Sequence, residues 1–430
     1  MVRKPLRCAW ITLFLFCTLI LMLASDAWAA SKYKVLYSFQ GGSDGASPYG
    51  GLTLDAAGNL YGTTYFGGVD NQQCYSVEGT GCGTVFKLTP GSGAWTESLL
   101  YNFCSQTGCA DGATPIGSMS LDSGGTLYGT TGYGGSCRSF LGCGVAFNLA
   151  PDSQGTWQYT VLYDFPGGDN AGNPDGDLIF ERRGNLYGTG GVVFALIRRS
   201  GNWSEKIVYS FCSLHDCRDG FGPAAGLVWR GGDLYGATYY GGWKSYACDA
   251  GCGVLFKLTP GPKGRWKETV LHTLVGADGT NPLSGPIFDG HGNLYGTTTN
   301  DGAFGGGTMF KLSPTSRGRW KYSVLHDFRL GALFGSGFTS SLVFDKAGNL
   351  YGTAWTGGSG NCNGGGCGLV YKLAPGAHGR WKYTELYTFT GSQDGGVPVG
   401  NLAIDQNGNL YGAAELGGAT GNGVVFEVTP

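Results

Sequence analysis

Five aspartates at equivalent positions are the first residues of this sequence that could do chemistry. Each lies four residues before a proline in the phrase DGxxP, and they are Asp44, Asp111, Asp219, Asp278 and Asp394. A ring of carboxylates could attract a cation. Asp-Gly is also a favoured turn pair, and we favour turn chemistry with no resident metal. We further expect Asp111 and Asp219 to accept hydrogen bonds from the hydroxyl groups of a ligand.

A second set of candidate residues is aromatic and follows a repeated apolar segment. Its members are Tyr65, Phe66, Tyr133, Tyr239, Tyr240 and Trp243, with Trp355 at a further copy. Flat rings at the edge of a fold can stack on sugars or grip a partner's surface; the alternative is packing between neighbouring loops. Six tryptophans that recur in another segment are interpreted as packing residues: Trp95, Trp157, Trp203, Trp266, Trp320 and Trp381.

The cysteines form a third set. Two of the 14 precede residue 29, and the other twelve form six close pairs: Cys74/Cys82, Cys104/Cys109, Cys137/Cys143, Cys212/Cys217, Cys248/Cys252 and Cys362/Cys367. Close pairs in an exported chain are typical of disulfides. They occur only in the longer loops, which predicts that each pair closes an insertion. A zinc site would need four ligands, and no pair has a histidine at finger spacing, so we expect no metal there.

Signatures of enzyme chemistry are sparse. The five histidines are scattered, and the sequence has no phosphate-binding loop, no GxSxG phrase and no metal-spaced histidine pair. We therefore expect no cofactor. Carboxylates scattered over different repeats could still form a glycosidase or lyase site, so an enzyme stays among the alternatives for function.

All of these residues belong to one repeat that occurs seven times. The phrase NLYG, or a near copy, contributes Tyr61, Tyr128, Tyr187, Tyr235, Tyr295, Tyr351 and Tyr411. The first repeat contains four strand signals, at 51–55, 59–65, 83–89 and 95–103. They are rich in aromatic and β-branched residues and are bounded by Gly, Pro, Asp or Asn. Self-similarity of this kind indicates a repeat architecture.

Seven units of four antiparallel strands predict an all-β fold, a seven-bladed β-propeller. The segment Tyr33–Phe39 matches the fourth strand of a unit, whereas the last unit, ending at Gly423–Val428, has only three. We predict that the N-terminal strand completes the last blade and closes the ring, which would hide both sheet edges. The alternative is an open β-solenoid, although its rungs would be half as long.

The wording of the repeat, GNLYGTT followed by GTVFKLTPG, resembles the GloVer tandem-repeat family of exported bacterial proteins over nearly all of residues 33–430. The resemblance implies secretion or surface display. It brings no established activity and no catalytic residues, so it assigns no site residue.

The N-terminus itself predicts export. Arg3, Lys4 and Arg7 precede an apolar run over 8–24, and the small-residue pattern Ala27-Trp28-Ala29 follows. This arrangement describes a secretory signal peptide over residues 1–29, with an uncleaved membrane anchor as the alternative. Residues 30–430 would then be one propeller domain in the extracellular space or the periplasm, without a membrane span after cleavage.

Composition excludes two broad classes. Of the 430 residues 82 are glycine and 13% are charged, and the net charge is −2. Without a surplus of basic residues nothing indicates binding to nucleic acid. A hydrophobic content of 42% is also far above that of disordered chains.

We expect function on the face that carries the long, variable loops. The third unit has almost no loop there, which suggests a groove over blade three lined by the aromatic set with Asp111 and Asp219. The expected function is a monomeric binding module for a glycan or a protein. A structural envelope protein without a discrete ligand is the second alternative, and a carbohydrate-active enzyme is the third.

Overall fold

The computed structural model describes residues 31–68, 81–137, 139, 142–168, 171–174, 176–223, 226–244, 248–329, 341–358, 360–362 and 365–430. The predicted signal peptide and Cys74 lie outside these ranges. Within them, no helix is long and apolar enough to cross a membrane.

The strands form seven antiparallel sheets, which are the blades of the predicted propeller. The closing strand is β1 (Lys32–Ser38). Blade one contains β2 (Ala46–Pro48), β3 (Thr53–Leu54), β4 (Leu60–Phe66), β5 (Thr84–Thr89) and β6 (Thr96–Asn102). Blade two contains β7 (Ser120–Leu121), β8 (Leu127–Thr130), β9 (Val145–Pro151) and β10 (Trp157–Asp164). Blade three contains β11 (Ile179–Phe180), β12 (Leu186–Thr189), β13 (Val193–Arg199) and β14 (Asn202–Tyr209).

The remaining four blades repeat the pattern. Blade four contains β15 (Val228–Arg230), β16 (Asp233–Thr238), β17 (Val254–Pro260) and β18 (Trp266–Thr273). Blade five contains β19 (Ile287–Phe288), β20 (Leu294–Thr297), β21 (Gly305–Pro314) and β22 (Trp320–Arg329). Blade six contains β23 (Val343–Phe344), β24 (Leu350–Ala354), β25 (Leu369–Pro375) and β26 (Trp381–Thr388). Blade seven contains β27 (Gly396–Ile404), β28 (Leu410–Leu416) and β29 (Val424–Thr429). Short 3₁₀ turns lie at Thr107–Cys109, His215–Cys217, Pro262–Gly264, Gly276–Asp278 and Ala377–Gly379.

The predicted closure is confirmed. Strand β1 pairs with β29 in antiparallel register from Lys32 opposite Thr429 to Ser38 opposite Val424. The last blade therefore has the order β1-β29-β28-β27 and takes its outer strand from the N-terminal end of the described chain. The first and the last strand of the described chain therefore pair with each other, so they do not form two separate unpaired edges.

The glycine of each NLYG phrase lies under the aromatic ring of the neighbouring third strand. At Gly236, an added Cβ would lie 2.6 Å from Cζ of Phe256 and 2.9 Å from Cδ2 of Leu227. Only glycine leaves room for the ring at this place. The same ring then packs against the phenylalanine that ends the preceding blade, with centroids 4.8 Å apart for Phe211 and Phe256 and 5.1 Å for Phe39 and Phe86. The repeat motif is thus a packing code between blades.

The recurring tryptophans contact the NLYG tyrosine of the preceding blade, which confirms that they are packing residues. The rings of Tyr187 and Trp266 lie 6.0 Å apart, as do those of Trp95 and Tyr411 across the closure. The hydroxyl groups of NLYG tyrosines also donate hydrogen bonds to the aspartate of the preceding turn, for example Tyr61 to Asp55 at 3.0 Å. Burial alone would raise the pKa of Asp55, but hydrogen bonds from Asn59, Tyr61 and Ala57 outweigh it and hold the pKa below its ordinary value.

Two of the seams between blades contain an unpaired carboxyl group. In blades one and four, Glu97 and Glu268 occupy the place where other blades have a tyrosine, and Oε1 of each is buried without a hydrogen-bond partner. Burial, reinforced by Asp44, raises the pKa of Glu97 to about 7. Burial, reinforced by Asp219, raises that of Glu268 to about 7 as well. These carboxyls bind protons more tightly in the folded chain than in the unfolded chain.

We expect the double substitution Glu97→Gln and Glu268→Gln to stabilise the protein at pH 8 and to change little at pH 4.5. Because the folded-state pKa is raised, the native contribution is present below about pH 4.5 and is lost as the pH rises towards 7. The gain at pH 8 should be on the order of 1 kcal/mol, after allowance for solvent screening of these half-buried groups. Thermal unfolding at the two pH values measures it.

A third glutamate at the same place is the matched control. Glu205 accepts hydrogen bonds from the Tyr163 hydroxyl at 3.1 Å and from the amide of Ala171 at 2.9 Å. Glu205→Gln should therefore destabilise the protein at pH 8. If the double variant shows the same pH profile as the wild type, the two seams are not the source of the pH dependence.

Candidate functional site

The long loops and the disulfides lie on one face of the ring. The loops between second and third strands and the links between blades carry the pairs Cys104–Cys109, Cys137–Cys143, Cys212–Cys217, Cys248–Cys252 and Cys362–Cys367, all of them disulfides. Cys82 is disulfide-bonded as well, and its predicted partner Cys74 lies outside the described residues. Five predicted pairs are thus present as local staples.

The DGxxP aspartates are turned into their own loops. Asp111 and Asp219 are fully buried. Asp111 accepts hydrogen bonds from the Tyr101 hydroxyl at 2.7 Å and from the amide of Ser105 at 2.9 Å, and Asp219 does the same with Tyr209 and Ser213. From the sequence, we expect these two aspartates to bind a ligand. In the structure, residues of their own loops already donate hydrogen bonds to the carboxylate oxygens. Turn chemistry explains the motif.

The six candidate aromatic residues fall into two groups. Tyr65 and Phe66 are half-buried, and Tyr65 packs against Tyr49 with centroids 5.6 Å apart. Burial, with smaller effects of Tyr133 and Glu415, raises the pKa of Tyr65. With Tyr133, which follows β8, this first group lies on blades one and two.

The second group lies on blade four and is more exposed. Trp243 is 63% exposed, Tyr240 is 39% exposed, and the neighbouring Phe221 is 52% exposed. The rings of Phe221 and Tyr240 are stacked with centroids 6.4 Å apart, and Tyr239 packs edge-on against Tyr240 at 4.5 Å. Between the two groups, blade three has only residues 190–192 between its second and third strands. The structure thus retains aromatic rings on both sides of a short loop.

We predict that Tyr240→Ala combined with Trp243→Ala lowers thermal stability only slightly, because Trp243 is 63% exposed and Tyr240, although only 39% exposed, packs on Phe221, which is itself an exposed ring. Binding of an extended ligand to this face should fall at least about tenfold, the effect of losing about 1.4 kcal/mol of contacts. Differential scanning calorimetry and a binding titration check the two parts. Leu99→Ala, an equally exposed apolar position on an outer strand, is the control. A clear loss of stability would identify the two rings as packing residues.

A cavity of about 320 Å³ occupies the centre of the ring. Every blade contributes one residue from the same place in the repeat, which is two positions before the inner strand in blades one to six and inside β27 in blade seven: Gly51, Ser118, Asp177, Gly226, Gly285, Ser341 and Asn401. Towards the long-loop face the wall becomes apolar and aromatic, with Tyr49, Ile116, Leu283, Trp355 and Val399. The Tyr49 amide donates to the carbonyl oxygen of Thr63, in the middle of β4.

Four polar residues of this inner ring form one hydrogen-bond network. Asp177 accepts from the amide of Ser118 at 2.6 Å and from Nδ2 of Asn401 at 3.0 Å. Asn401 also donates to the Ser118 hydroxyl at 3.2 Å, and its Oδ1 accepts from the amide of Ser341 at 3.0 Å. Blades two, three, six and seven are thereby joined across the axis, and the amide of Gly51 in blade one donates to the Ser118 hydroxyl at 3.1 Å.

Two carboxyl groups, one in the channel and one on blade seven, have raised pKa values. Burial raises the pKa of Asp177 although Ser118 and Asn401 donate to it, and the residue is still partly exposed in the cavity. Glu415 occupies the same place in blade seven as Trp355 does in blade six, and burial raises its pKa too. A concave cavity with an apolar wall, converging polar groups and shifted pKa values is the usual form of a ligand site. We therefore take the channel as the candidate site.

Asp177 is not among the residues that the sequence patterns single out. The signal that could have found it is the variation of one position, the residue before the inner-strand leucine, which is small in most units and a carboxylate only in the third. That variation has meaning only once the seven positions are known to face one another.

The chain is similar to one known protein family and to several solved structures. The family described as Gloeobacter/Verrucomicrobia repeat matches residues 28–248, 190–364 and 242–430. No curated protein matches the chain. A gluconolactonase from Xanthomonas campestris is 13% identical and covers 93% of this chain and 89% of its own, with a TM-score of 0.39.

Two further solved structures show similar values. A protein from Thermus thermophilus described as an oxidoreductase (glucose dehydrogenase) is 15% identical and covers 93% of this chain and 100% of its own, with a TM-score of 0.44. A luciferin-regenerating enzyme is 13% identical and covers 73% of this chain and 90% of its own, with a TM-score of 0.41. Similarities this low do not bear on function, which has to be inferred from the residues of this chain.

Proposed function

We propose that this chain, which belongs to the Gloeobacter/Verrucomicrobia repeat family, is an exported binding protein that holds a glycan in its central channel. The observation that carries the proposal is the convergence of Asp177, Asn401 and Ser118 beneath the aromatic wall of Tyr49 and Trp355. Sugars need this combination, because their ring faces stack on aromatic side chains while their hydroxyls pair with carboxylates and amides.

The short loop of blade three supports an entry route. It leads towards the inner ring in the same blade that supplies Asp177, and it lies between the two aromatic groups. An oligosaccharide whose end reaches Asp177 would extend outwards over the rim, where Tyr240 and Trp243 could stack on further sugar units. The disulfide-held loops would present these walls with little ordering cost.

Export is supported by the chemistry of the cysteines. Five local disulfides are present, and disulfides persist in oxidising compartments such as the periplasm and the extracellular space. The proposed location is therefore one in which free and polymeric glycans are accessible.

The test is a glycan array with the purified, oxidised protein, followed by calorimetric titration of each hit. Trp355→Ala should weaken binding of every hit at least about tenfold, while Trp355→Phe, which keeps a ring at the channel wall, should retain most of the affinity. Tyr240→Ala with Trp243→Ala should weaken long oligosaccharides more than short ones. An empty array together with a protein target captured on the loop face would support the protein-binding form of the function. An empty array with no target would favour a structural role.

A carbohydrate-active enzyme is the second candidate, and one observation favours it. Asp177 lies in the channel and has a raised pKa, which is the property a general acid requires. Release of reducing sugar from an array hit, abolished by Asp177→Asn, would establish hydrolysis. Binding without turnover would leave the channel as a recognition site.

A further inference from the structure

We infer that the central channel selects a ligand with a protonated amine, so that the sugar class it takes is a hexosamine with a free amino group. The inference rests on the proposed function and specifies it. It comes from the charge of the inner ring and from the hydrogen-bonding capacity that Asp177 keeps towards the cavity.

The channel holds negative charge without compensation. The described residues that line the cavity include Asp177 and no lysine, arginine or histidine. The groups that contact Asp177 are neutral donors, namely the amide and hydroxyl of Ser118 and the side-chain amide of Asn401. A buried carboxylate without a cation carries a desolvation penalty that neutral donors offset only in part. A ligand that brings a positive charge would remove that penalty.

Asp177 also has remaining capacity to accept hydrogen bonds. Its Oδ1 accepts from the Ser118 amide and its Oδ2 from Asn401, and the Ser118 hydroxyl is a third donor beside it. An ionised carboxylate can accept about four. Asp177 lines the cavity and is partly exposed, so a ligand in the cavity can reach the carboxylate from that side. A primary ammonium could place one of its three donors on this unfilled side of the carboxylate.

The donor set around Asp177 favours an ammonium over a metal ion. Calcium takes six to eight oxygen ligands, but Asn401 presents its NH₂ group, not its oxygen, to Asp177, and its oxygen is bonded to Ser341. Among the residues that the structure describes, no three carboxylate or histidine side chains converge in the channel. The site is therefore suited to an ammonium group, which combines a positive charge with its own N–H donors.

The mouth of the channel strengthens the same preference. Glu415 is half-buried at the position in blade seven that Trp355 occupies in the cavity wall of blade six, and within the described ranges it has no ion-pair partner. Like charge at the mouth and in the ring would oppose uronic acids and phosphorylated sugars, whereas it would draw a cationic sugar inwards.

The experiment is a calorimetric titration at pH 6 with four matched probes: glucosamine, N-acetylglucosamine, glucose and glucuronate, as monosaccharides and as short oligomers where these exist. Glucosamine should bind at least about tenfold more tightly than glucose, and glucuronate should bind most weakly. In Asp177→Asn the preference for glucosamine over glucose should fall to within about twofold. Asp177→Ser is a second variant. Blades two and six carry serine at this place in the repeat, so the fold accepts serine there.

A matched control removes a carboxylate elsewhere. Asp233→Asn breaks an ion pair with Lys257 (3.3 Å) on blade four and should leave the preference unchanged. If neutral sugars bind as well as glucosamine, and Asp177→Asn changes nothing, the inference is overturned while glycan binding stands. If no sugar binds at all, the proposed function fails with it. Tight binding of calcium alone, lost in both Asp177 variants, would also overturn the inference.

Discussion

Deleting residues 31–40 is expected to lower the melting temperature by more than about 10 °C, and to replace a single cooperative transition by a broad one. The segment contains β1, which pairs with β29 over the whole strand. It also buries Phe39 completely, against Phe86 of blade one, and stacks Tyr33 on Tyr387 of blade six at 3.7 Å. Its loss would expose the edge of β29 and remove several kcal/mol of apolar burial together.

The deletion is measured by calorimetry on the purified protein, with two graded controls. Phe39→Ala removes the contact with blade one and keeps the strand, so it should cost about 3–5 kcal/mol. Adding the peptide of residues 31–40 in trans should restore part of the lost melting temperature, which separates an open ring from a chain that never folded. A deletion variant that melts within a few degrees of the wild type would show that closure contributes little.

Gly236→Ala is expected to destabilise the protein by about 1–3 kcal/mol, which is a large effect for one methyl group. The added carbon would lie 2.6 Å from Cζ of Phe256, a contact distance that atoms do not tolerate, and 2.9 Å from Leu227. Phe256 cannot move away freely, because Phe211 of the preceding blade packs on its other side. The methyl group would therefore separate two blades.

Equilibrium unfolding in urea measures this loss. Gly290→Ala is the matched control, because an added Cβ there meets nothing within 4 Å, and it should change stability by less than about 0.5 kcal/mol. Gly236→Ala combined with Phe256→Leu should recover part of the loss, since the smaller side chain frees space under the strand. Equal stability of Gly236→Ala and Gly290→Ala would contradict the packing role of the motif.

Much of the fold follows from the sequence, and the reason is that the determinants are local. Gly236 and Phe256 are brought together by the pairing of adjacent strands, in which Gly236 lies opposite Phe256. The same glycine and tyrosine recur in all seven units, and the phenylalanine and the tryptophan each recur in six, with Tyr371 in place of the phenylalanine in blade six. A single repeat therefore contains the contacts within a blade and those to the next. The unpaired strand signal at Tyr33–Phe39 is enough to predict the closure.

The candidate site follows from the sequence only in part. The aromatic residues and the short loop of blade three lie where the repeat register places them, and the cysteine pairs are local enough to be predicted from spacing. From the sequence, Asp111 is expected to bind a ligand. The sequence does not show that Tyr101 and Ser105 already donate hydrogen bonds to its carboxylate.

The sequence by itself therefore determined the blade, the number of blades and the strand that closes them, because each rests on contacts between near neighbours repeated seven times. The tertiary structure alone decided which residues meet at the axis. Ser118 and Asn401 are 283 positions apart in the chain and hydrogen-bonded in the channel, and Asp177 joins them from a third blade. Closure of the ring brings these distant residues together, and no local pattern encodes their distances.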